Sequence, residues 1–139
     1  MTKDALKVLE ERGLVKQRTH EEPLLKQLQQ PTTFYIGFDA TAESLHVGHL
    51  LPIMVMAYMR RCGHHPIALL GGGTTMVGDP SGKTEMRQML AVETIAAYTK
   101  AIGNQIRAIM DVIPGPEVTM VNNADWLLKL NYIEFLREV

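Results

Sequence analysis

The sequence predicts an α/β fold, a small parallel sheet with helices packed against it. Strand-like segments at residues 32–38, 66–70 and 118–121 alternate with helical patterns, which is the rhythm of a parallel sheet. Each strand runs into a loop of glycines or polar residues, at 37–49, 71–83 and 122–126. Ligands of open parallel sheets sit at those carboxyl ends. With 139 residues, 46% apolar and 21% charged, the chain is long enough for one domain with a sizeable core.

The elements follow in order. Residues 3–12 set Leu6, Val8 and Leu9 among charges and end at Gly13, a short helix with a glycine stop. Glu21-Glu22-Pro23 opens a second helix, with acids and a proline where a first turn accepts them, running to about Gln30. Residues 32–38 read as a buried strand in which Phe34, Ile36 and Phe38 alternate with Tyr35 and Gly37. Tyr35 taken alone also fits a core tyrosine. A helix over about 47–61 closes at Cys62-Gly63, with Met54, Met56 and Met59 as core residues. Its Pro52 lies in the first turns, where a missing N–H costs little.

Residues 66–70 form the second strand and enter Gly71-Gly72-Gly73. A polar helical turn after Lys83 precedes a long helix over about 92–111, with Ala96, Ile102, Ile106, Ile109 and Met110 as its apolar stripe. Pro114-Gly115-Pro116 breaks the chain before the third strand, and Trp126 is expected to pack beneath the sheet edge. The pattern at 132–139 is amphipathic and helical without a stop signal, and three parallel strands leave an exposed edge. The sequence therefore reads as the front of a larger domain: a helical leader at 1–31, a first nucleotide-binding half at 32–113 and the start of a connecting region at 114–139.

Charge and cysteine content narrow the classes. Fourteen basic against fifteen acidic side chains give a formal charge of −1, so no global basic field argues for nucleic-acid binding. One cysteine, Cys62, excludes an internal disulfide and points to a reducing compartment. The N-terminus lacks the apolar run of a signal peptide, and the run from Leu50 to Met59 ends at Arg60-Arg61, well short of a membrane span. The expectation is a cytoplasmic protein with no membrane partner.

The segment 35–50 carries most of the chemistry. His46 and His49 flank Gly48 where a strand and irregular turn pass into a helix, three residues apart and so on one side of the helix start. Imidazole N–H groups, backbone amides and the helix dipole there converge on an anion, and the glycine leaves room for a flat ring. The pair taken alone also fits two surface or capping histidines. A metal is not expected, because Cys62, His64 and His65 lie at the far end of the helix and the ligand count falls short. Gly78-Asp79-Pro80-Ser81-Gly82-Lys83-Thr84 approaches a P-loop, yet three residues separate its glycines where the motif needs four. A tight turn with Asp79 as a cap and Lys83 solvated is the plainer account of that stretch. Asn123 and Asp125 also fit as turn residues.

At this point the residues resemble a family closely. His46-Val47-Gly48-His49 is similar to the HIGH signature of class I aminoacyl-tRNA synthetases. Gly37-Phe38-Asp39, Thr41-Ala42, Ser44-Leu45, then Gly63-His64 with Pro66-Ile67-Ala68-Leu69, then Gly78 to Lys83, narrow the resemblance to the bacterial tyrosyl-tRNA synthetases. Val47 stands where the family usually has isoleucine, and Ala40 where it often has proline. The resemblance implies a Rossmann-like (HUP-type) catalytic domain, present here in its first part. The second half-site, the KMSKS-type loop and the anticodon-recognition region have no counterpart in these residues.

What the resemblance implies residue by residue is as follows. Tyr35 bonds the phenol hydroxyl of tyrosine, Asp79 pairs with its ammonium, and Thr74 and Asn123 shape that pocket. Thr41 and His46 hold the leaving phosphates of ATP, while Gly48 and His49 face the nucleoside. Gly37 and Asp39 line the adenylate by backbone, and Lys83 and Arg87 bring mobile positive charge near the pyrophosphate. The implied reaction joins L-tyrosine to ATP as tyrosyl-adenylate and passes tyrosine to tRNA(Tyr). Magnesium accompanies ATP, no cofactor is tightly bound, and homodimerism would use the 114–139 region. Selection against phenylalanine rests on buried groups that need the phenol hydroxyl, a principle for which tyrosyl enzymes are themselves the standard illustration. Two other classes remain: a non-catalytic binding or structural fragment of such an enzyme, and a P-loop phosphotransferase, which the spacing disfavours.

Overall fold

The computed structural model describes residues 4–77 and 90–138. Helix α1 (Ala5–Glu11) starts where the Asp4 side chain accepts the Lys7 N–H at 3.1 Å and ends before Gly13, whose φ of 67° suits glycine. Helix α2 (Glu21–Gln27) stops three residues earlier than its pattern suggests. Thr32 supplies the reason: its hydroxyl lies 2.8 Å from the Gln27 carbonyl and 2.9 Å from that of Gln30, and so takes over the helix end.

Strand β1 (Thr33–Phe38), β2 (His65–Leu70) and β3 (Thr119–Asn122) form one parallel sheet in the order β1-β2-β3. Phe38 pairs with Leu70 and Leu70 with Asn122, so the three carboxyl ends lie level. Helix α3 (Val47–Arg61) makes the first crossover and α5 (Val92–Asp111) the second, with the single-turn α4 (Thr74–Val77) after β2. Both long helices share one core with the inward face of the sheet: Ile53 and Met56 from α3 meet Phe38, Ala68 and Leu70, and Ile102, Ile106 and Met110 from α5. A second cluster of Ala5, Leu9, Met59 and Cys62 ties α1 to α3.

Several expectations are corrected. Strand β1 is buried on one face only, because it is an edge strand and nothing among the described residues covers its outer side: Tyr35 is 68% exposed while Phe38 is buried. The stripe of α5 runs through Ile95, Thr99, Ile102, Ile106 and Met110, and Ala96 and Ile109 face solvent. Thr99 fits among apolar neighbours because its hydroxyl donates to the Ile95 carbonyl at 2.7 Å. Pro52 is the sixth residue of α3, one turn deeper than the position where a missing N–H is free, and it withholds the donor that would serve the Gly48 carbonyl. Met54 is half-buried, whereas Met56 and Met59 are core.

After β3, α6 (Ala124–Leu127) is a single turn that sets Asn123, Ala124 and Leu127 inward. Asp125 and Trp126 therefore face out, and Trp126 is 44% exposed rather than tucked beneath the sheet. Helix α7 (Tyr132–Glu138) is likewise exposed along its apolar residues. Among the described residues no helix is long and apolar enough to cross a membrane.

The junction of α5 with β3 is fixed by Arg60, a buried arginine at the end of α3. Its guanidinium donates to the carbonyls of Met110, Gly115 and Pro116. A cation at the last turn of α5 also meets the negative end of the helix dipole.

Candidate active site

The site forms where the level strand ends release their loops. At the mouth of α3, His46 is the N-cap, with extended backbone (φ −120°, ψ 174°). Its Nδ1 accepts the Gly48 N–H at 3.1 Å, and Nδ1 of His49 accepts the His46 N–H at 3.1 Å. This is a reciprocal capping box built from two imidazoles, whose rings lie 3.9 Å apart. Both Nδ1 atoms are acceptors, so each neutral ring carries its proton on Nε2.

Two readings of the histidine pair thus meet. The residues are caps, and capping aims their Nε2–H donors away from the helix end. The backbone amides expected to meet an anion are, at Gly48 and His46, already taken by the rings. Nor is the space above Gly48 open: a Cβ there would lie 2.8 Å from Cε1 and 3.0 Å from Nδ1 of His46. Glycine is needed so that the His46 ring can fold back over the first turn. The open glycine is Gly37, where a Cβ meets nothing within 4 Å. It shares with Tyr35 the uncovered face of the sheet.

A second cluster joins the other strand ends. Asn123, 7% exposed, accepts the Gly73 N–H at 2.7 Å through Oδ1, and its Nδ2 donates to Thr74 Oγ1 at 3.0 Å. Thr74 Oγ1 in turn lies 3.2 Å from the Asp39 carboxylate, to which it donates. Thr75 Oγ1 accepts the Ala40 N–H at 3.0 Å, and Asn122 Oδ1 accepts that of Ala124 at 3.0 Å. One side chain at the end of β3 therefore sets the glycine loop after β2, and that loop sets the turn after β1.

Asp39 links the two clusters. Burial lowers the pKa of His49 from its ordinary 6.5, and neighbouring His46 lowers it further, while the Asp39 carboxylate acts in the opposite direction. The outcome is a mainly neutral His49 near pH 7, as its accepting Nδ1 requires. Thr41 is exposed on the loop leading into α3. Asp79, Lys83 and Arg87 lie outside the described residues. Residue reading missed Gln105, Thr75 and Asn122, and only Asn122 had a signal, as half of an asparagine pair closing a strand.

A parallel sheet with a histidine-capped helix mouth and a polar cluster at its carboxyl ends is the arrangement in which open α/β folds carry their ligand sites. The chain belongs to the class I tRNA synthetases of the tryptophan and tyrosine group, whose family model matches residues 26–139. It is 56% identical over 135 residues to the tyrosine–tRNA ligase of Caldanaerobacter subterraneus, covering 96% of this chain and 33% of that relative. It is 52% identical over 140 residues to that of Clostridium tetani, covering 100% and 34%. Among solved structures, a C-terminally truncated mitochondrial tyrosyl-tRNA synthetase of Aspergillus nidulans superposes with a TM-score of 0.80 at 30% identity, covering 99% of this chain and 42% of that one. Its counterpart from Coccidioides posadasii gives 0.78 at 30% identity, covering 97% and 39%. The chain spans about a third of the length of the curated relatives it matches.

Proposed function

We propose that this chain is the N-terminal part of the catalytic domain of a tyrosine–tRNA ligase, in which the tyrosine carboxylate attacks the α-phosphate of ATP and pyrophosphate leaves. The tyrosyl group then passes to tRNA(Tyr). The nucleophile is already ionised, so the first step needs no general base. Rate must come from alignment and from donors placed where phosphate charge develops. His46 and Thr41 take that role toward the leaving phosphates, and neither has to change protonation. His49 and Gly48 face the nucleoside, and Gly37 and Asp39 line the adenylate.

Tyr35 reads the phenol hydroxyl, with Asp79 at the ammonium and Thr74 and Asn123 shaping the pocket. Lys83 and Arg87 serve the pyrophosphate. Magnesium would travel on the triphosphate oxygens. A homodimer would use the 114–139 region.

The observation that carries the reading is the histidine capping box, in which both Nδ1 atoms are engaged and both Nε2–H donors stay available. Tyrosine-dependent exchange of pyrophosphate into ATP tests it. His46→Ala should lower the exchange rate by about 10²-fold, the usual loss for one transition-state donor, and leave tyrosine affinity within twofold. Equal loss of both would remove His46 from its role. Tyrosine binding without any adenylate would favour a binding fragment.

A further inference from the structure

We infer that Gln105 is a positioning residue for the reaction proposed above: it holds the 43–46 stretch of the loop, and with it His46, in register. Gln105 lies on α5, half-buried, about sixty residues away in sequence from the loop it touches. Its Oε1 accepts the Leu45 N–H at 3.1 Å and its Nε2 donates to the Glu43 carbonyl at 3.1 Å. Only this orientation of the amide satisfies both partners, because a flipped amide would set donor on donor and acceptor on acceptor.

The loop needs such an anchor. Residues 41–44 are exposed, and the Ala40 N–H is fixed by Thr75 at one end while the capping box begins at His46 at the other. Between those points, the described residues supply one side chain that bonds the loop backbone, and it is Gln105. Leu45, packed against the main core, fixes the depth of the loop, whereas the paired amide bonds fix its rotation. A turn of the backbone at Leu45 passes directly to the N-cap residue, whose imidazole must keep its Nδ1 on Gly48. Gln105 touches no substrate in this scheme and acts through the loop.

The test uses the natural polypeptide and tyrosine-dependent pyrophosphate exchange. Gln105→Met keeps the stem and removes both bonds. It should lower kcat roughly tenfold, in line with two ordinary hydrogen bonds, with KM for tyrosine within twofold. Combined with His46→Ala it should add little, since both changes disable the same group. Amide exchange at Leu45 should accelerate in the same variant. Gln105→Glu, which keeps the acceptor for Leu45 and loses the donor to Glu43, should fall about threefold and provides the reading if the methionine variant is unstable. An active parent whose Gln105→Met variant keeps its kcat, raises KM in proportion, or adds fully to His46→Ala would overturn the role of Gln105 alone. A parent with no tyrosine-dependent exchange would overturn the proposed function and this role together.

Discussion

Replacing Asn123 by alanine isolates the cluster that joins the three strand ends. Its Oδ1 accepts the buried Gly73 N–H at 2.7 Å, and the Thr74 N–H at 3.4 Å is too distant to add much. Alanine leaves the Gly73 donor buried without a partner, at about 1–3 kcal/mol. The Thr74 hydroxyl loses the Asn123 amide but keeps Asp39 at 3.2 Å and the Gly71 carbonyl at 3.3 Å, so its share is small. The expected destabilisation is about 2–3 kcal/mol, read as a lower urea midpoint at unchanged slope. For a chain of this size it equals a fall of about 7–10 °C in Tm. Asn123→Asp keeps an acceptor for Gly73 while setting a second carboxylate near Asp39, and should lose less, about 1 kcal/mol near neutral pH. If Asn123→Ala stays within about 0.5 kcal/mol of the parent, the idea that this side chain secures the glycine loop is wrong.

Three further outcomes follow from the same geometry. Gly48→Ala should leave stability almost unchanged, because alanine gains up to about 1 kcal/mol of helix propensity while the displaced His46 cap loses about as much; exchange activity should nevertheless fall about tenfold, and retained activity would show that the His46 cap is dispensable. Stability should decline from pH 7.5 to 5.5 in urea titrations, since burial lowers the pKa values of both His49 and His64 from 6.5, with His46 and His65 respectively adding to the shift. The unfolded chain then takes up protons below pH 6.5 that the folded chain refuses until its own lower values are reached, so a flat profile would contradict the burial of these rings. Arg60→Met should cost about 2–4 kcal/mol by stripping three carbonyls of their shared donor and α5 of a cation at its end, and a Tm within 2 °C of the parent would deny it that role.

What could be read from the residues was whatever local periodicity and capping determine. Helices α3 and α5 begin and end where their patterns do, α3 closing at the local glycine signal Gly63 and α5 following its own apolar periodicity. The expectation of a site at the carboxyl ends of the strands rested on strand–helix alternation. Features set by distant partners were not legible. Nothing near Gln30 announces that the Thr32 hydroxyl will draw the end of α2 back to Gln27. The pattern of β1 resembles a buried strand because alternation records one covered face and carries no information about the other. Trp126 looked like a core residue by composition, yet the inward positions of α6 go to Asn123, Ala124 and Leu127.

The same limit explains the histidines. Spacing shows that His46 and His49 share a side of the helix mouth, but not that each ring spends its Nδ1 on a backbone N–H. That expenditure decides the chemistry. A ring with a free Nδ1 has two tautomers and several rotamers, and an arriving phosphate would have to select among them at a cost in affinity. With Nδ1 engaged, one tautomer remains and the Nε2–H direction is set before any ligand binds. Each cap strengthens as the ring stays neutral, and partial burial keeps His49 neutral. In the proposed function capping and anion recognition would be one arrangement, and a substitution that disturbs the first turn of α3 should reach the proposed phosphate contacts through the tautomer rather than through lost charge.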